Sequence, residues 1–248
     1  MSAVVERFKI TRAAFEDWAQ SAFGLSKPPT GRAIAQTAQI SKSTVAKQLK
    51  SDDVDARFVI DLARGLGREP LDELSRFGGY ELLKARVEIP SIEEQLTVVS
   101  FPDLLTEILR RFRWSPQVEE SIYPLGFQTW NAWFSVVAPH ATLASFEEIL
   151  GLTVASISRN HRRGNWSVAQ VLAISTSLNL NPHMALVASA HLSLEEAGLP
   201  ATMRKDAIRQ ATDEQLQTQL SYLAPHLTGI LQRQSEDLYR GLSNDRLA

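Results

Sequence analysis

Residues 30–50 read TGRAIAQTAQISKSTVAKQLK, and residues 142–162 read TLASFEEILGLTVASISRNHR. The second stretch begins 112 residues after the first, since 142 − 30 = 112, and the two align without a gap. The shared register runs on to residues 75 and 187. Ile34, Ala38, Ile40, Val45, Val59, Ile60, Leu62, Leu66 and Leu74 meet Phe146, Leu150, Leu152, Ile157, Val171, Leu172, Ile174, Leu178 and Leu186. Thr30 meets Thr142, Pro70 meets Pro182, and Phe15/Trp18 meet Phe127/Trp130. Identity is thin, so the signal is the apolar pattern: two segments that bury the same faces are built to one plan.

Working outward, the local signals predict short helices. Thr11 is suited to cap a helix that carries Ala14, Phe15, Trp18 and Ala22 on one face. Ser26-Lys27-Pro28-Pro29 breaks it. Thr30 caps a second helix, Gly31 to Ala38, with Ile34, Ala35 and Ala38 inward. Ile40 occupies a tight turn, and Ser41 caps a third helix to about Lys50 with Val45 and Leu49 inward. A fourth helix fits 56–66, capped from the Asp52-Asp53-x-Asp55 stretch. Gly67 follows as a left-handed C-terminal cap, and Pro70 opens a fifth helix ending near Phe77.

Composition narrows the class. A hydrophobic content of 44% with 22% charged residues describes a chain that can bury a core. No apolar run reaches the ~18–20 residues of a membrane span, and the beginning of the sequence lacks the layout of a secretory leader. The absence of cysteine excludes disulfides and thiolate metal sites, and predicts a reducing, cytoplasmic setting. Net charge is −2, so any nucleic-acid surface must be local. Residues 30–50 fit that demand: they contain Arg32, Lys42, Lys47 and Lys50 and no acidic residue.

Five short helices in this order, the second and third joined by a tight turn, resemble the DNA-binding domain of the lambda repressor and Cro-like (XRE) family of transcriptional regulators. The resemblance rests on Thr30, Ile34-Ala35, Ala38, Ile40-Ser41, Val45, Leu62-Ala63-x-x-Leu66-Gly67 and Pro70-x-x-x-Leu74. It implies an all-α protein whose third helix enters the major groove. Carried over by position, the DNA-binding set is Thr30, Arg32, Ser41, Lys42, Ser43, Thr44, Lys47, Gln48 and Lys50. Lysine suits guanine acceptors or phosphate, and glutamine suits adenine as a bidentate pair, so Lys47 and Gln48 are expected to set sequence preference. Gln39 departs from the pattern by standing at the usual turn glycine, and Gln48 by standing at an apolar anchor.

In the second unit Phe127, Trp130 and Trp133 anchor the opening helix, and Gly151 supplies the turn glycine. Asn179 replaces Gly67 at a left-handed cap. The expected DNA-binding set here is Thr153, Val154, Ala155, Ser156, Ser158, Arg159, Asn160, His161, Arg162 and Arg163. Val154 and Ala155 suit thymine methyls, Arg159 guanine, Asn160 adenine, and Arg162 and Arg163 phosphate. Glu147 stands where the first unit has the small Ala35, so it must point outward or push the helices apart. Either both units read DNA, or the second has become a packing or dimerisation module.

The sequence divides into a first unit (1–80), a helical connector (81–123), a second unit (124–192) and a C-terminal helical segment (193–248). The connector carries a capping box at Ser91-Ile92-Glu93-Glu94 and an amphipathic helix through Leu104, Leu105, Ile108, Leu109 and Phe112, with Arg110, Arg111 and Arg113 as a basic end that is either solvated or in contact with phosphate, the former favoured. Ser193–Glu196 and Thr212–Gln215 are further capping boxes. Leu216, Leu220 and Leu223 start an apolar stripe continued by Leu227, Ile230, Leu231, Leu238 and Leu242, which serves either the core or a homodimer interface. Scattered histidines and isolated glycines give no metal pair and no phosphate loop, so no catalytic residue, metal or cofactor is expected. The partner expected is double-stranded DNA at a phage or bacterial promoter, with no membrane. The contrasting reading is a helical protein-interaction module of the antitoxin or adaptor type.

Overall fold

A computed structural model describes residues 3–112 and 128–224 of the chain. Phe127, Arg113 and the apolar positions from Leu227 to Leu242 lie outside the described residues. The first half runs α1 (Ala3–Glu6), β1 (Ile10–Thr11), α2 (Arg12–Ala22), α3 (Gly31–Thr37), α4 (Lys42–Lys50), β2 (Asp53–Val54), α5 (Ala56–Gly65) and α6 (Pro70–Leu74). A 3₁₀ turn (Glu81–Lys84), α7 (Ile92–Leu96) and α8 (Phe101–Arg111) follow. The architecture is all-α; among the described residues the strands β1 and β2 form one antiparallel pair, Ile10 opposite Val54. No helix among the described residues is long and apolar enough to cross a membrane.

Side-chain caps set the helix starts. Thr11, Thr30, Ser41 and Asp55 accept hydrogen bonds from the backbone N–H groups of Ala14, Ala33, Thr44 and Arg57, each satisfying a donor the helix cannot. The fifth helix is shorter than expected: it stops at Leu74, where the Ser75 hydroxyl donates back to the Asp72 carbonyl.

The second half runs α9 (Gln128–Val137), α10 (Leu143–Leu150), α11 (Val154–Arg163), α12 (Val168–Ser177), α13 (Pro182–Ala188) and α14 (Met203–Gln210), and residues 213–224 form α15. The 112-residue offset recurs in the fold. Adding 112 to both ends of α5 gives both ends of α12, and α3, α4 and α6 start where α10, α11 and α13 start less 112. The backbone matches too. Gln39 and Gly151 both lie in the left-handed region (φ 54° and 62°), as do Gly67 and Asn179 (65° and 53°). Gln39 thus takes the conformation of the turn glycine it replaces.

The repeat is also longer than the expected connector and tail allowed. Shifted by 112, α14 covers 91–98 and so overlaps α7, and α8 and α15 start at the same offset, their caps Ser100 and Thr212 accepting from the N–H groups of Asp103 and Gln215. Leu104 and Leu216 are fully buried equivalents, and Glu107 and Gln219 are equivalent buried polar residues. Residues 81–112 are therefore the closing part of the first copy rather than a spacer, and 193–224 the closing part of the second.

Both cores draw on both copies. The larger gathers Phe15, Ile34, Val59 and Leu62 from one with Trp130, Phe146, Val171 and Leu172 from the other. The smaller joins Leu96, Val99 and Leu104 to Ala132, Ala207, Ala211, Leu216 and Leu223, so the described part of the C-terminal stripe is core. At the seam α5 packs on α12 and α7 on its counterpart α14, while α1 packs on α10 and α12 and α7 also touches α9. One departure is Trp133, whose indole N–H donates to Glu94 at 2.8 Å, whereas its counterpart Ser21 is exposed.

Polar contacts frame the seam. The Arg64 guanidinium donates to both Glu196 oxygens (2.6 and 2.7 Å) and to the His191 carbonyl. Arg57 donates to the Ala190 carbonyl at 3.1 Å. The Glu196 carboxyl is held below its ordinary pKa by Arg64. His191 is 8% exposed and its pKa is lowered to about 4, chiefly by burial and then by Arg57. Its Nδ1 faces the Arg57 guanidinium, which can only donate, so the Nε2–H tautomer donates to the Trp166 carbonyl at 2.9 Å.

Candidate nucleic-acid interface

The helix-turn-helix of the first copy is fixed from beneath. Val45 is 1% exposed and anchors α4, while Ile34 and Ala35 bury α3. Gly31 lies at the crossing of the two helices, where a Cβ would meet the Val45 and Leu49 side chains at 3.6 and 3.8 Å, in ordinary van der Waals contact. With Val45 inward, the opposite face of α4 is directed to solvent.

That face carries most of the expected set. Thr30, Arg32, Ser41, Lys42, Ser43, Thr44, Lys47 and Lys50 are all exposed. Thr30 and Ser41 spend their hydroxyls as helix caps, and the Ser41 oxygen also lies 2.8 Å from the hydroxyls of Ser43 and Thr44. Ser43, Ala46, Lys47, Lys50 and Ser51 line one shallow open groove. The surface is cationic and rich in hydroxyls, a combination suited to phosphate oxygens and guanine acceptors.

Gln48 is a correction. It is half-buried, and its Oε1 accepts from the Asp55 backbone N–H at 2.9 Å, tying the end of α4 to the start of α5. A bidentate contact with adenine needs both the oxygen and the amide nitrogen. Here the oxygen is occupied, so Gln48 fills its apolar-anchor position by stapling the loop. Nothing in the side-chain type signalled this, because its partner lies seven residues along the chain, in a turn.

In the second copy Thr142 and Ser145 form a reciprocal capping box, Gly151 makes the turn, Thr153 caps α11 by accepting from Ser156 N–H, and Ile157 is fully buried. Val154, Ala155, Arg159, Arg162 and Arg163 are exposed; Ser156, Ser158, Asn160 and His161 are half-buried. The Arg162 Nε donates weakly to Ser158 O at 3.4 Å, leaning the side chain along its own helix. Glu147 and Glu148 are exposed, so Glu147 points outward and the crossing of α10 with α11 is kept.

The repeat puts like chemistry at like positions: Lys47 with Arg159, and Lys50 with Arg162. All four are exposed, on helices held by equivalent buried anchors. The expected basic end of α8 is different. Arg110 and Arg111 pair with Glu107, and Arg111 also donates to the Ile208 and Ala211 carbonyls and to Asp213. Arg111 thus ties the two copies together, whereas Arg110 stays largely in solvent as expected of a helix end.

No family model matches this chain, and no curated protein or solved structure matches it either.

Proposed function

We infer that the chain is a sequence-specific regulator of transcription that binds double-stranded DNA through α4 and α11. One observation carries this reading: two helices, equivalent in the repeat and held by caps (Ser41, Thr153) and buried anchors (Val45, Ile157) at equivalent positions, both present exposed cations at the same two positions. Lys47 and Arg159 sit one turn into their helices, where a side chain reaches base edges; Lys50 and Arg162 lie farther along, toward the backbone phosphates. Repression follows by occupying a phage or bacterial promoter and excluding polymerase. Such a protein works in the cytoplasm, on the nucleoid.

Selection of bound sequences from a random duplex library, with the full chain at near-physiological salt, tests the reading. Enrichment of a defined sequence, weakened by Lys47→Ala, is the result expected. No enrichment over a bead-only control overturns it and favours binding of a protein partner instead.

A further inference from the structure

The geometry points to a single-chain pseudo-dimer whose target is one duplex site made of two unlike half-sites in inverted orientation. This rests on the DNA-binding reading above and adds the form of the site. In an isologous assembly each surface meets its own copy, whereas in a head-to-tail array a surface meets a different one. Here α5 meets α12 and α7 meets α14, helices paired with their own counterparts 112 residues on, beside further contacts of α1 with α10 and α12 and of α7 with α9. The smaller core holds Leu104 with Leu216 and Val99 with Ala211 in one cluster, and contacts at its margin are reciprocal: Arg204, equivalent to Ile92, pairs with Asp103, while Gln215, equivalent to Asp103, donates to Glu93.

The relation between the copies is therefore a twofold rotation, not a translation along the chain. α4 and α11 belong to the same two copies and are related by the same operation. Duplex DNA has its own dyads perpendicular to the helix axis, so two reading helices related by a twofold meet the two strands in opposite directions. The half-sites must be inverted.

They must also differ. Equivalent exposed positions carry Lys42 against Val154, and Lys47 against Arg159. A lysine and a valine at one position ask for opposite chemistry, an acceptor in one half-site and a thymine methyl in the other. A single chain then supplies both readers, and a second chain adds nothing to the contact.

The test is selection from a random duplex library with three full-length proteins, wild type, Lys42→Ala and Val154→Lys, each checked for unchanged circular dichroism. The mass of the wild-type complex on its selected duplex is measured by native mass spectrometry. We expect two dissimilar blocks in inverted orientation and one chain per duplex. Lys42→Ala should relax the first block only, and Val154→Lys should make the second resemble the inverse of the first. Blocks in direct orientation, a single block, or a perfect palindrome carrying two chains would overturn the pseudo-dimer while leaving DNA binding intact. No enrichment by any of the three proteins would overturn both.

Discussion

Arg64 and Glu196 clasp each other across the seam between the two copies, the guanidinium Nε and Nη2 donating to the two carboxylate oxygens at 2.6 and 2.7 Å. The pair lies next to Arg57, Asp61 and His191, so the seam is polar at its margin and apolar within. A bidentate, partly buried pair of this kind contributes more than a surface ion pair. Arg64→Ala should lower unfolding stability by roughly 1–2 kcal/mol. A double-mutant cycle with Glu196→Ala, read by urea unfolding, should show clear coupling; additive losses would mean that the two side chains act independently.

His191 makes the seam sensitive to acid. Its pKa is lowered to about 4 in the folded protein, against an ordinary 6.5. Between those values the unfolded chain binds the proton and the folded one does not, so stability rises with pH through this window and is lost as pH falls from about 6.5 toward 4. Protonation forces a cation beside Arg57, with a cost of up to about 3 kcal/mol below pH 4. His183, likewise lowered by burial, acts in the same direction. Urea midpoints from pH 7 to pH 4.5 should fall more steeply for wild type than for His191→Gln; parallel curves would show that His191 does not titrate as described.

Leu104 and Leu216 are equivalent, fully buried members of the smaller core. Each replacement by alanine should cost about 2–5 kcal/mol, while Leu105→Ala on the more exposed side of α8 should cost under ~1 kcal/mol. Chemical unfolding gives the comparison. A near-neutral Leu216→Ala would contradict the equivalence of α8 and α15.

Gln48→Ala removes an acceptor from the Asp55 N–H and should cost about 1 kcal/mol. It should leave the selected DNA sequence unchanged. A lost sequence preference with unaltered stability would return Gln48 to the reading surface.

Helix starts and turns were legible in the sequence because they are decided within four residues. Thr11, Thr30, Ser41, Asp55, Thr142 and Thr153 cap where their side chains suggest, and left-handed turns fall at Gly67, Gly151 and Asn179 as their residue types suggest; that at Gln39 has no such signal in its side chain. The full extent of the repeat was not legible. Beyond residue 82 equivalent pairs such as Ile92/Arg204 and Phe101/Asp213 share no chemistry, because the seam asks different things of each: Arg204 is buried to pair with Asp103, while Ile92 packs against the smaller core. For the candidate interface, exposure of the cations on α4 and α11 follows from the spacing of Val45 and Ile157. The role of Gln48 does not, since it depends on a loop folding back.

The most direct measurement is the affinity of the full chain for a duplex as salt is raised, compared among wild type, Lys50→Ala and Arg162→Ala. If α4 and α11 lie along DNA, log affinity falls linearly with log salt, and each substitution reduces the slope by about 1, the contribution of one neutralised phosphate. Affinity that ignores salt, or a slope untouched by both substitutions, would contradict the account.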